Sequence, residues 1–113
     1  MADMSRTEIG RRMYSLQKEK NVERVIEKIR KQLGSDWVYI SQEDQNVLKY
    51  VIGEVWVYRE RDFWEMVQYT RLTVKAILDI VSIGRKLMSH ESDPRKSVEE
   101  ASEILRLGSG QGA

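Results

Sequence analysis

His90 is the single histidine of this 113-residue chain, and cysteine is absent. One imidazole and no thiol leave no donor set for a structural transition metal, and they exclude disulfides and iron–sulfur clusters. Nucleophilic catalysis has as little to work with. Ser82 and Ser89 have no base within the same motif, and His90 falls in a predicted loop. Acid–base chemistry needs two carboxylates converging on one point. Glu99 and Glu100 are neighbours, so on a helix they diverge by about 100° and read as solubilising charges. No phosphate loop, dinucleotide fingerprint or nucleophile elbow occurs. These residue types predict no enzyme, no metal and no cofactor.

The remaining chemistry is electrostatic and aromatic. The net charge of +1 conceals a block pattern. Residues 1–33 carry nine Lys or Arg against five Asp or Glu, and residues 59–88 carry six against four. The stretches between and after are acidic. A local basic face attracts a phosphate backbone, although a solvated helix surface has the same composition. Trp37, Trp56 and Trp64 can stack on bases or fill a partner's groove. In a small helical domain each is more often a core residue.

A chain of this length buries about two-thirds of its unfolded surface, enough for one unstapled core. We therefore expect one domain over residues 1–113, with 1–4 and 108–113 flexible. No apolar run is long enough to span a bilayer and no signal-peptide pattern opens the chain, so a cytoplasmic location away from membranes is expected.

The elements that must position these side chains follow from caps and periodicity. Ser5-Arg6-Thr7-Glu8 is a capping-box pattern, and it predicts a helix over 6–33 ending at Gly34 as a C′ residue. Its apolar residues form two stripes, Ile9–Met13–Leu16 and Val22–Val25–Ile26–Ile29–Leu33. The phase break between them predicts a bend near 18–21 or two separate helices. Trp37-Val38-Tyr39-Ile40 has strand-forming residues and reads as an edge strand or extended link. Ser41 begins a second cap. Val47, Leu48, Val51, Ile52 and Val55 then follow strict helical spacing over 42–57, the strongest core pattern in the chain. Helices over 61–67, 71–88 and 94–107 complete an all-α fold of about five helices. Asp93-Pro94 opens the last as cap and first helical residue. Gly84 permits a close helix contact or marks a break. Leu48, Val51, Ile52, Phe63, Val74, Ile77 and Leu78 are expected to share one core.

Residues 57–78 read as a helix, a turn and a second helix. Phe63, Met66 and Val67 form the inner face of the first, Thr70 stands at the cap of the second, and Val74, Ile77 and Leu78 form its inner face. This segment resembles the helix-turn-helix of bacterial and archaeal transcription factors, including winged-helix regulators. In those proteins an Arg-Asp-Phe or Arg-Asp-Leu helix precedes a recognition helix of the pattern Tyr-(Ser/Thr)-Arg-x-Thr-Val-x-x-(Ile/Leu)-Leu. Here the corresponding residues are Arg61-Asp62-Phe63 and Tyr69-Thr70-Arg71-Leu72-Thr73-Val74-Lys75-Ala76-Ile77-Leu78. The chain departs from the family in three places. Trp64 replaces an Ala where the two helices cross, and should turn outward or shift the crossing. Gln68 replaces a turn Gly. No hairpin follows the second helix, so the wing is absent or vestigial.

The resemblance implies a helix-turn-helix over 61–88 that binds double-stranded DNA, in a small transcription regulator or a plasmid or virus accessory protein. A helix beginning at Arg71 would enter the major groove and present Arg71, Leu72, Thr73, Lys75, Ala76 and Asp79. Arg71 and Lys75 would reach guanine edges or phosphates, and Thr73 would make a hydroxyl or methyl contact. Arg61, Tyr69 and Thr70 would hold phosphates. Apolar surplus on the last two helices further predicts a homodimer through Ile80, Ile83, Leu87, Ile104 or Leu105. The alternative is a helical interaction module, a small subunit that sets its apolar stripes against a protein partner.

Overall fold

The computed structural model describes residues 6–108, so the Ser5 cap and the tail beyond Gly108 lie outside it. The described residues form five α-helices and no strand: α1 (Arg6–Leu33), α2 (Gln42–Tyr58), α3 (Phe63–Val67), α4 (Val74–Met88) and α5 (Pro94–Leu107). The all-α architecture expected from periodicity is the one observed.

α2 is the hub, with α1, α4 and α5 all packed on it. Ser41 starts it, its side chain accepting the Asp44 backbone N–H at 3.1 Å. Val47, Leu48, Val51, Ile52, Val55 and Trp56 are all buried along it. α4 approaches α2 closely at Gly84. A Cβ there would fall 2.5 Å from Val51 Cγ2 and 2.6 Å from Val47 Cγ1, so only glycine fits the crossing. Gly84 therefore makes a close contact and breaks nothing. α5 begins as expected, with Asp93 accepting the Arg95 N–H at 3.0 Å and Pro94 at the first position.

α1 is one continuous helix of 28 residues, about 42 Å long. The alternative of two separate helices does not hold, because the helix runs unbroken through residues 18–21. A Gln17–Asn21 side-chain hydrogen bond of 3.0 Å spans the site, and the Lys18 stem lies over Gly53 of α2. The phase break has another cause. The two apolar stripes serve two different faces: Val22, Val25, Ile26 and Ile29 are buried, while Ile9, Met13 and Leu16 are exposed.

Gly34 takes φ +57 just past α1, as a C′ residue should. In place of the expected edge strand at Trp37–Ile40, Trp37–Tyr39 end a 3-10 helix over Gly34–Tyr39, and Ile40 is extended just after it. Strand-forming residues without a neighbouring strand must satisfy their backbone locally. The 3-10 turn does so, with the Ile40 N–H donating to Trp37 O at 3.0 Å.

The predicted core is largely in place. Leu48, Val51, Ile52, Phe63 and Ile77 are buried together, and Val74 is half-buried against them. Leu78 is the exception, 40% exposed. The inward arc of α4 is held by Ala76, Ile77, Ile80, Val81, Gly84 and Leu87, which leaves Leu78 on the outer side with Lys75 and Ser82. The residues assigned to a dimer interface are also placed differently. Ile80, Leu87 and Leu105 are buried in the chain's own core, and Ile83 and Ile104 pack half-buried against it. Most of the apolar surface of α4 and α5 is used within one copy, with Leu78, Met88 and Leu107 left exposed.

Candidate functional site

Two surfaces compete for the role: the α3–α4 segment and the outward face of α1. The first is anchored from behind by α1. Lys28 Nζ donates to Val67 O at 2.7 Å and also to Gln68 O, so its charge sits on the last carbonyls of α3. Gln32 Nε2 donates to Thr70 O at 2.6 Å. Trp64 turns outward and packs on α1, with the Arg24 guanidinium 4.7 Å from its ring centre. Gln68 stays right-handed, φ −54, so the turn has no need of glycine there.

The α3 helix starts at Phe63, two residues later than the pattern suggests. Asp62 does not cap it. Its carboxylate is taken by Arg59, at 2.6 and 3.2 Å, and Arg59 also reaches Glu99 at 2.9 Å. The hydrogen bond from Arg59 holds the Asp62 carboxyl below its usual range and raises the Arg59 value in turn. This three-residue cluster ties the α2–α3 turn to α5.

The start of α4 shifts in the same direction. The helix begins at Val74, and its cap is Thr73, whose hydroxyl accepts the Ala76 N–H at 3.0 Å. Arg71 therefore lies in the connection and does not open the helix. Thr70, expected as the cap and as a phosphate contact, is fully buried and donates its hydroxyl to Leu105 O. Leu72, expected on the groove-facing side, is only 6% exposed and belongs to the core. Pulling residues 70 and 72 inward keeps the segment extended and delays the helix. α3 packs on α5, whereas α4 packs along α2 and α5.

Of the eight candidate residues, Arg61, Tyr69, Arg71, Thr73, Lys75 and Asp79 are exposed. Lys75 pairs with Asp79 at 3.1 Å, one helical turn along the same face. Farther down that face Arg85 pairs with Asp44 at 2.5 Å. Arg71 has no carboxylate partner among the described residues. The outer face of α4 is thus solvated, with alternating charges and the single apolar Leu78.

The second surface was not singled out by any site pattern. α1 runs antiparallel to α2, as the contacts show. Tyr14 meets Trp56 at 4.8 Å between ring centres, Lys18 and Val22 lie over Gly53, and Glu23 pairs with Lys49 at 3.3 Å. Burial at this seam, then the nearby Glu60 and Glu54, raises the Tyr14 hydroxyl above its usual value. At 100° per residue, Ile9, Met13, Leu16 and Lys20 point away from that seam. They are exposed: Ile9 is 44%, Met13 65% and Leu16 60% exposed. Gly10, beside them, has open space where a Cβ would be. An apolar stripe on a solvated helix was legible in the sequence. That it faces outward was not.

Among the described residues no helix is long and apolar enough to cross a membrane, and no group of three or more His, Cys, Asp or Glu side chains is arranged to hold a metal ion. No family model, curated protein or solved structure matches this chain.

Proposed function

We propose that this protein is a non-enzymatic helical interaction module that docks another polypeptide on the outward face of α1. The observation that carries the reading is the exposure of Ile9, Met13 and Leu16 on one line of a continuous helix whose opposite side is packed. The apolar stripes that periodicity marks on α2, α4 and α5 are folded into the core. Apolar surface left in water forgoes about 25 cal/mol per Å² of stabilisation, which a docked partner would recover. The test is a photo-reactive residue in place of Met13, with Ser82 on the outer face of α4 as control. In cells, position 13 should form a polypeptide adduct that Leu16→Glu abolishes, and position 82 should not. Equal labelling at both positions, or none at 13, would overturn the reading.

A second reading is binding of double-stranded DNA by a small helix-turn-helix regulator or accessory protein. It draws support from Tyr69, Arg71 and Lys75, which are all exposed around the amino end of α4. On this reading duplex affinity falls steeply with salt, as phosphate contacts release counterions. Arg71→Ala weakens it by about 1–3 kcal/mol if the guanidinium meets a base. Absence of duplex binding at low salt removes this reading. So does unchanged affinity in both Arg71→Ala and Lys75→Ala.

A further inference from the structure

We infer that the occupant of the outward α1 face is a second copy of this chain, held by antiparallel pairing of the two α1 helices over residues 6–23. The inference rests on the interaction-module reading and names its partner. The outward residues Ile9, Met13, Leu16 and Lys20 follow the alternating four- and three-residue spacing of a two-helix seam. Only the first three are apolar, and this restricts the pairing. In a parallel pair Lys20 would meet Lys20, stacking like charges in the seam. An antiparallel pair centred between Tyr14 and Ser15 avoids this. Met13 of each copy then lies against Leu16 of the other. The aliphatic stem of Lys20 covers the other copy's Ile9 while its ammonium reaches water.

The flanking charges favour the same arrangement. Arg12 and Glu19 lie on one side of the seam. A two-fold axis perpendicular to an antiparallel pair sets each flank against its own copy. Arg12 of one helix is then within about two residues of the level of Glu19 on the other, and the pair occurs twice. Both residues are exposed in the single chain.

Sterics allow it as well. α2 occupies the opposite side of α1, so the second body stands beyond its own α1 and the two bodies do not meet. The seam spans about eighteen residues, about 27 Å. Only three apolar residues per copy line it, against roughly 20–30 residues a side in a standard interface, so association should be reversible and concentration-dependent.

The experiment is sedimentation of the full chain from nanomolar to hundreds of micromolar. A monomer–dimer equilibrium is expected. Leu16→Glu should raise the dissociation constant by about tenfold or more while leaving the thermal midpoint of the dilute monomer in place. Arg12→Glu and Glu19→Arg should each weaken the dimer, and the double reversal Arg12→Glu/Glu19→Arg should restore it. A monomer throughout would overturn the inference, as would a dimer indifferent to Leu16→Glu or a double reversal that does not rescue. The photo-reactive residue at position 13 separates the two levels. An adduct with a different polypeptide ends the second-copy inference and leaves the module reading standing, whereas no adduct ends both.

Discussion

Leu16 and Leu72 are the same residue in opposite surroundings. Leu16 lies in a regular helix and points into water. Leu72 lies in an irregular connection and is buried in the core. Two glycines repeat the contrast. Gly10 on α1 has open space at its missing Cβ, whereas a Cβ at Gly84 on α4 would fall well inside van der Waals contact with Val47 and Val51. The amino half of α1 is helical because its local sequence favours helix and one side leans on α2. The 70–78 segment is shaped from outside, by Gln32 donating to Thr70 O and by the Thr70 hydroxyl reaching Leu105 O. Regular structure here does not mark the interior, nor irregular structure the surface.

The most demanding test of that contrast is a matched pair of leucine truncations. Leu72→Ala should cost about 2–5 kcal/mol, the range for emptying a buried site. Leu16→Ala should stay within about 0.5 kcal/mol, as exposed substitutions do. Urea unfolding at low protein concentration measures both, and equal losses would erase the distinction between the two regions. The glycine pair sharpens it further and in opposite directions. Gly84→Val should cost about 1–3 kcal/mol or more by overpacking the α2–α4 crossing. Gly10→Ala should stabilise the chain by about 0.4–1 kcal/mol, since the added methyl meets nothing and the unfolded chain loses freedom. A stabilising Gly84→Val would mean that the crossing is looser than its geometry.

The smallest effect concerns the joint that ties the α2–α3 turn to α5. Asp62 is held low by Arg59 in the folded chain. A carboxyl with a depressed folded value contributes stability above its ordinary value of 3.8. That contribution is lost as pH falls through the folded value. The stability difference between the native chain and Asp62→Asn should therefore be constant near neutrality and close in acid. It should be small throughout, because the Asp62 side chain is 43% exposed and screened by solvent. A difference that widens in acid would contradict the Arg59–Asp62 pairing.

The helices themselves were readable from local chemistry. Ser41 and Asp93 cap where they should, Gly34 terminates α1 with a positive φ, and the spacing of Val47 to Val55 marks the central helix. Each depends on hydrogen bonds or side-chain alignment within a few residues, which the order of amino acids determines directly. The candidate site was less legible. The match from Tyr69 to Leu78 put a helix start near Arg71 and an outward face through Leu72. A bond to Leu105 and burial beneath the other helices drew Thr70 and Leu72 inward and moved the start to Val74.

The two stripes of α1 show the division most plainly. Their spacing and the phase break between them belong to the sequence. Periodicity states that an apolar face exists but carries no information about what lies opposite it. Only the packing of α2 against Tyr14, Lys18 and Val22 decided that one stripe would be core and that Ile9, Met13 and Leu16 would face the solvent.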